Sequence, residues 1–478
     1  MKTIIIIISS IALMILATLN GYAQTATEPL DGNGTEASPY EINDQENLYW
    51  ISQNNTAWDK HFIQTADIDA SETKYWNDAK GWFPIGNDSI AFTGTYNGKN
   101  HIISGLYINR PSQNNVGLFG YISNLNSSYT IKKTTINNVG LININITGNK
   151  AVGSLIGSVS GGENIVIENC FVSLGSVKGA EATGGLIGEL IGSNLNADLK
   201  SNPVLRYSYA NINIESRTEI NIRKEKFGGL VGSLSKAKIS NSYSRGSINV
   251  TGSSMIGGIT GSIENGGKLN YTYSAVKINA ENCQLIGGLS GSKFNTEKNH
   301  GFIQNSFYDL EVSGIYNYNN TDKDFGKTSK EMKSAITFIG WFGYHWKIDQ
   351  EINDGYPYLI FNNSSLKTTL ISHNAVQKQE HVIIEWVTIS ENHNTFFEVE
   401  KTTNGYFYET VASVAGSGPC NELHFYMVID INPSNDIAFY RLSQKDVDGN
   451  IEYFPLMPVL TGDKERDNTI MVFFEPQK

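Results

Sequence analysis

From about residue 116 to residue 310 the chain reads as short runs in which apolar and polar residues alternate at a period of two. In Leu141–Ile146 the run LININI places Ile142, Ile144 and Ile146 on one side of an extended strand and Asn143 and Asn145 on the other. Ile212 and Ile214 alternate with asparagines in the same way. The segments IENCFVSLGSV, ISNSYSRGSINV, LNYTYSAVKI and IQNSFYDLEV are of the same kind. Each predicts a strand half-buried against a core.

These strands recur behind a glycine motif. VGLFG ends at Gly120, VGSLIG at Gly157, GGLIG at Gly188, GGLVG at Gly232, GGITG at Gly261 and GGLSG at Gly291, with intervals of 37, 31, 44, 29 and 30 residues. The longer intervals hold polar insertions, GSNLNADLKSNP and ESRTEINIRKEK. One such unit cannot bury its apolar face, whereas stacked copies add strand layers about 4.8 Å apart. The pattern predicts an all-β chain built on a right-handed parallel β-solenoid, with a propeller as the alternative fold. The glycines are expected to be structural, at Gly117, Gly120, Gly153, Gly157, Gly185, Gly188, Gly229, Gly232, Gly258, Gly261, Gly288 and Gly291. They sit either where φ must be positive or where neighbouring coils leave no room for a side chain.

The G-L-aliphatic-G core with a following N-S-Y-S resembles the GLUG-motif repeats of secreted bacterial surface proteins, over about Val116 to Asp309. That resemblance implies an adhesin-like protein. Upstream, GTEASPYEINDQENLYWIS and GWFPIGNDSIAFTGTYNGKNHIISGLYI resemble the cap that precedes such repeats. Asp44 is placed to N-cap a helix carrying Leu48 and Ile51, and Asn97-Gly98 signals a hairpin. Downstream, residues 311–365 look like the closing segment, with Trp341, Trp346, Tyr356 and Tyr358 as a plug for the open end.

Beyond Leu366 the glycine rhythm gives way to alternating strands with turns at Asn404-Gly405 and Asp448-Gly449, as in an immunoglobulin-like β-sandwich. Trp386, Glu391, Phe397, Glu400, Tyr440, Arg441, Asp446, Asp448 and Gly449 resemble the fibronectin-like module found near the sorting signal of Bacteroidetes type IX-secreted proteins. The further sorting domain of that family is not seen after NTIMVFFEPQK. The expected organisation is a signal peptide over 1–23, a cap with the first strands over 24–112, the repeats over 113–310, the closing segment over 311–365, the sandwich over 366–462 and a tail over 463–478.

Composition adds an address. Residues 1–23 hold one lysine, an apolar run and Gly21-Tyr22-Ala23, which predicts a secretory signal peptide cut after Ala23 and no membrane span in the mature chain. Without Lys2 the charge is about −12, from 47 acidic and 35 basic residues, which disfavours nucleic acid. Cys170, Cys283 and Cys420 are too few and too widely spaced for a disulfide framework or a zinc site, and Cys170 takes the place that Ser242 holds in its own repeat.

Candidate chemistry is sparse. The eight histidines are scattered, and acids do not recur on the repeat strands, so the two convergent carboxylates of a glycoside hydrolase do not assemble. KDVDGNIE, Lys445 to Glu452, reads as an Asp-Gly turn, because Met457 stands where a calcium loop needs Glu. GKT at Gly326 lacks the upstream glycine of a phosphate loop. Trp76 and Trp82 are read as cap core or, less simply, as a sugar platform. Arg217, Arg223, Lys224 and Lys226 are read as a solvated loop. The reading is a secreted, non-catalytic adhesin without cofactor or metal, directed at an extracellular glycan or protein. A β-helix polysaccharide lyase or hydrolase and a structural spacer are the alternatives.

Overall fold

The computed structural model describes residues 24–124, 133–162, 164–193, 202–217, 225–252, 254–283, 285–293, 301–316, 325–341, 345–348, 350, 353–359, 367–392, 394–416, 424–434, 437–446 and 451–460. They fall into two compact units that divide between Met332 and Lys333. The signal segment, Arg223 and Lys224, Cys420, the Asp448-Gly449 turn and the tail lie outside the described residues.

The first unit is a parallel β-solenoid. Each strand pairs with the equivalent strand of the coil before and the coil after, so Ile136, Ile167, Leu205, Ile239, Leu269 and Ile303 stand in one register. All six point inward and are buried. A second inward stack, Leu118, Leu155, Leu186, Leu230, Ile259 and Leu289, comes from the repeat motif itself and is fully buried. Stacking like on like lets each coil fill the gap left by its neighbour, and a propeller is excluded because its sheets are radial blades.

A coil bends where residues adopt left-handed φ. Asn138, Asn169, Tyr207, Asn241, Tyr271 and Asn305 occupy equivalent corners, with φ from 44 to 57°. Asparagine tolerates this region best among residues with a side chain. It also ties the corners together, since Asn138 Nδ2 donates to Asn97 Oδ1 at 2.9 Å and Asn169 Nδ2 to Asn138 Oδ1 at 3.1 Å. Just inside this corner stand Cys170, Ser208, Ser242, Thr272 and Ser306, all buried. The Ser208, Ser242 and Ser306 hydroxyls each donate to the carbonyl two residues before, and the Cys170 thiol lies 3.2 Å from the Glu168 carbonyl in the same relation. The thiol is therefore a serine substitute in a buried ladder.

Outside the corner the rings of Phe171, Tyr209, Tyr243 and Tyr273 stack in sequence, 5.1, 4.7 and 4.9 Å apart and within 10° of parallel. Offset stacking of this kind adds to the strand pairing that carries it.

Two local expectations are corrected. Ile142 does not share a face with Ile144 and Ile146: Asn143 has φ 55°, a break that turns Leu141 and Ile144 inward and leaves Ile142 half-buried. The same place in the next coil has Leu174 at φ 66°, followed by Gly175 at φ 104° and a register shift between Ser173 and Ser176, which marks a bulge. Asn97-Gly98 does not make a hairpin. Thr95–Asn97 and Ile102–Ser104 each pair in parallel with other coils. The turn is a coil corner, closed by the Asn97 side chain accepting from Lys99 N at 2.9 Å, with Lys99 and Asn100 at left-handed φ.

The cap follows its sequence pattern. Helix Gln45–Gln53 starts at Asp44, whose side chain accepts from Asn47 N at 2.8 Å, and buries Leu48 and Ile51. At the other end Asp309 caps the short helix Leu310–Ser313, and Gly326–Lys327 pairs in parallel with Tyr308–Asp309. The GKT stretch is thus a strand.

The second unit holds two antiparallel sheets. Lys367–Lys378, His381–Asn392 and His424–Asp430 form one; Glu409–Ala415, Asn394–Thr402, Ile437–Asp446, Ile451–Tyr453 and Met457–Leu460 form the other. Trp386, Phe397, Val399, Tyr440, Leu442 and Phe454 fill the space between them, as in a β-sandwich. Glu400 and Arg441 face each other across the second sheet, with Arg441 Nη2 2.8 Å from Glu400 Oε2 and its guanidinium over the Tyr408 and Tyr453 rings. The stretch 311–365, expected to close the solenoid, is divided: residues to Met332 stay with the coils, and those from Lys333 go with the second unit. Trp341 and Trp346 pack on each other in that second unit, ring centres 5.0 Å apart.

Candidate functional site

Eleven of the twelve repeat glycines stand where two backbones nearly touch, and Gly288 lies against the Tyr308 ring. None has left-handed φ. A Cβ on Gly188 would lie 2.4 Å from Ala151 C and Val152 N, and one on Gly261 2.6 Å from Phe227 N. Of the two reasons expected for glycine here, the backbone shows lack of space. These residues hold the fold and offer no ligand group.

The outward face of the solenoid's longest sheet has a different character. Because strands pair in register, outward residues line up in two rows. One runs His61, Thr95, Thr135, Val166, Val204, Lys238, Lys268, Phe302. The other runs Ile63, Asn97, Asn137, Glu168, Arg206, Ser240, Asn270, Gln304 through the same pairings. Hydroxyls, amides and cations therefore make up much of this face over eight consecutive coils, interrupted by Val166, Val204 and Glu168.

Two clefts open on this face. Near the cap, a cleft of about 480 Å³ is lined by Glu36, Asp59, His61, Thr95, Asn97 and Asn137, and His61 Nδ1 lies 2.8 Å from Thr95 Oγ1. Toward the other end, a cleft of about 510 Å³ is lined by Asn202, Lys236, Lys238, Lys268, Asn270 and Phe302. Lys238 and Lys268 are in-register neighbours, and the Lys268 ammonium lies 5.9 Å from the centre of the exposed Phe302 ring. Burial pulls the Lys238 ammonium below its usual range, and Lys268 and Arg206 add to the effect. Between the clefts Arg206 and Glu168 close an ion pair at 2.6 Å.

Several carboxylates on the coils answer cations. Lys150 pairs with Glu181, Lys178 with Glu215 and Lys226 with Glu264. The outward row of the glycine-motif sheet, Tyr121, Ser158, Glu189, Ser233, Ser262 and Ser292, carries a single acid. Burial raises the pKa of Glu189, against Lys150 and Lys226 nearby. Among the described residues no group of three or more His, Cys, Asp or Glu side chains is placed to hold a metal ion.

The remaining candidates resolve simply. Trp76 and Trp82 are buried and stacked 6.3 Å apart in the cap, and Trp82 Nε1 donates to Leu118 O, so they form no sugar platform. Lys226, expected in a solvated loop, is held by Glu264 at 2.7 Å. Cys170 is fully buried, and desolvation pushes its thiol to about 12. The two outward rows escaped the sequence reading, although a signal existed: Lys238 and Lys268 each stand three residues before the corner residue, Asn241 and Tyr271.

No protein-family profile matches the chain. It is 40% identical over 174 residues, 35% of its length, to halomucin of Haloquadratum walsbyi. It is 33% identical over 145 residues, 30% of its length, to a protein of Evansella cellulosilytica described as a Gly-rich membrane protein. These matches take in 2% and 15% of the two relatives, so the chain spans a small part of each. Among solved structures, a crystal structure from Bacteroides ovatus described as an immunoglobulin A1 protease aligns with a TM-score of 0.42 and 17% identity, over 70% of this chain and 96% of that one. No described helix is long and apolar enough to cross a membrane.

Proposed function

We propose that this chain is an exported, non-catalytic interaction protein of the adhesin kind, and that it takes an extended ligand, glycan or protein, along the outer face of the solenoid. The observation that carries the reading is the pair of in-register outward rows, with a cleft toward each end of one face. Solenoids use such regular surfaces for long contacts in which each coil contributes a little. Acids tied to cations on the coils suit a binding surface better than hydrolysis, which needs two free carboxylates facing one bond. The GLUG-like repeats, the signal-like first residues and the fibronectin-like sandwich support an exterior address, with type IX export as the route the sandwich suggests. The likeness to a protein described as a membrane protein agrees with an envelope setting.

The test is to present the purified mature chain to arrays of glycans and extracellular-matrix proteins. Saturable binding to an extended ligand with the ligand recovered intact supports the reading. Cleavage of a polysaccharide favours an enzyme, and absence of binding on every surface favours a spacer.

A further inference from the structure

We infer that the cleft of Lys236, Lys238, Lys268 and Phe302 recognises an anionic polysaccharide, one whose sugars carry carboxylate or sulfate groups. The inference rests on the binding reading above and names its ligand class.

A chain of net charge −11 collects three lysines along one cleft, and two of them, Lys238 and Lys268, face each other in register on adjacent coils. Adjacent coils are about 4.8 Å apart, where like charges repel. Neither ammonium has an ion-pair partner among the described residues, although other cations of the coils, Lys150, Lys178, Arg206 and Lys226, each have one. Two unneutralised cations held side by side form a site that an external anion relieves.

The surroundings select the kind of anion. Asn202, Asn270 and Gln304 line the same cleft with amides that donate and accept hydrogen bonds, as sugar hydroxyls require. Phe302 ends the lysine row with an exposed ring able to lie under the apolar face of a pyranose. The cationic stretch is short: beyond it the lysine row continues through Val204 and Val166 to Thr135, and the row beside it through Arg206, already paired with Glu168, to Asn137. A polymer with a phosphate at every unit would meet too few cations and the repulsion of the whole chain. A glycan with one charge on some or all of its sugars matches the spacing and the mixture of groups.

The test measures binding of the full mature chain to polygalacturonate, to kappa-carrageenan, to neutral dextran and to single-stranded DNA. It is repeated with Lys238→Gln/Lys268→Gln, with Phe302→Ala, and with Lys178→Gln as a control on a different part of the coil. The expected result is binding to polygalacturonate or kappa-carrageenan that weakens with salt and falls about tenfold or more in the double lysine variant. Phe302→Ala also weakens it, Lys178→Gln leaves it unchanged, and every variant keeps its melting temperature or raises it. Preference between the first two polymers separates carboxylate from sulfate. Binding to neutral glycans or matrix proteins alone overturns this inference while leaving the interaction reading intact. Equal affinity for DNA, or acidic-glycan binding insensitive to the lysine changes, also overturns it. Silence with every ligand, including the wider arrays, defeats both.

Discussion

Gly232 lies against the backbone of Thr183 in the preceding coil, so close that a Cβ there would come within 2.5 Å of Thr183 N. The contact is between main chains, so no side-chain rotation relieves it. Gly232→Val is expected to cost about 3 kcal/mol or more, well beyond the roughly 1 kcal/mol of a propensity change. Chemical denaturation of the variant measures this, and an unchanged midpoint contradicts the packing described for the repeat corner.

Cys170 provides a test of the inner ladder. Its thiol is buried and pushed to about 12, so iodoacetamide should modify it only after unfolding. Cys170→Ser should be tolerated, with a change of about 1 kcal/mol or less, because serine fills the same place at Ser208, Ser242 and Ser306. Mass spectrometry of native and denatured protein reads the first expectation, and thermal melting the second.

The tyrosine stack makes stability sensitive to alkali. Burial raises Tyr209 to about 12 and Tyr243 well above its usual 10.0, and Tyr96 shifts the same way. An unfolded tyrosine loses its proton near 10, while these keep theirs in the fold. The unfolded state thus binds fewer protons over that window, and stability falls as pH rises from about 10 upward. Tyrosinate absorbance of these rings should appear together with loss of β-structure. Smooth titration of all tyrosines in a still-folded chain contradicts the buried stack.

Lys238 makes stability depend on pH with the opposite sign. Its pKa in the fold lies below the unfolded value, so the folded state carries a penalty that is fully present at neutral pH and relieved as pH rises toward 10.5. Lys238→Gln should therefore raise the melting temperature of the ligand-free protein at pH 7 and lose that advantage in strong alkali. A lower melting temperature at pH 7 would show that the lysine is held by favourable contacts instead.

In the sandwich, Asp430 is buried between Lys401 Nζ at 3.1 Å and the Tyr440 hydroxyl, which donates to it at 2.8 Å. Asp430→Ala leaves the mostly buried Lys401 ammonium with the Asn432 carbonyl at 2.7 Å and the exposed Glu409 at 3.9 Å, and about 3 kcal/mol of destabilisation is expected in that unit. Scanning calorimetry locates the loss.

Much of this architecture was legible because a solenoid repeats its local rules. Period-two strands, glycines at one corner and a serine-like Cys170 all follow from comparing one coil with the next. The misreadings came where tertiary context overrides a local signal. Asn97-Gly98 carries hairpin chemistry, yet its flanking strands find better partners in neighbouring coils. Ile142 follows the alternation on paper, but Asn143 takes left-handed φ and shifts the pattern by one. The outward rows were hidden for another reason. Lys238 and Lys268 are 30 residues apart, and only the register between Lys238–Thr251 and Lys268–Glu281 makes them neighbours. A face assembled from one or two residues per coil leaves no contiguous motif.

The central claim is that ligand lies along several coils without being cut. The most direct measurement is the affinity of the full mature chain for a size ladder of acidic oligosaccharides, with the sugars analysed afterwards. Affinity is expected to climb through successive lengths before levelling off, with every oligosaccharide recovered at its original size. Equal affinity for the shortest and longest members, or the appearance of shortened products, would contradict it.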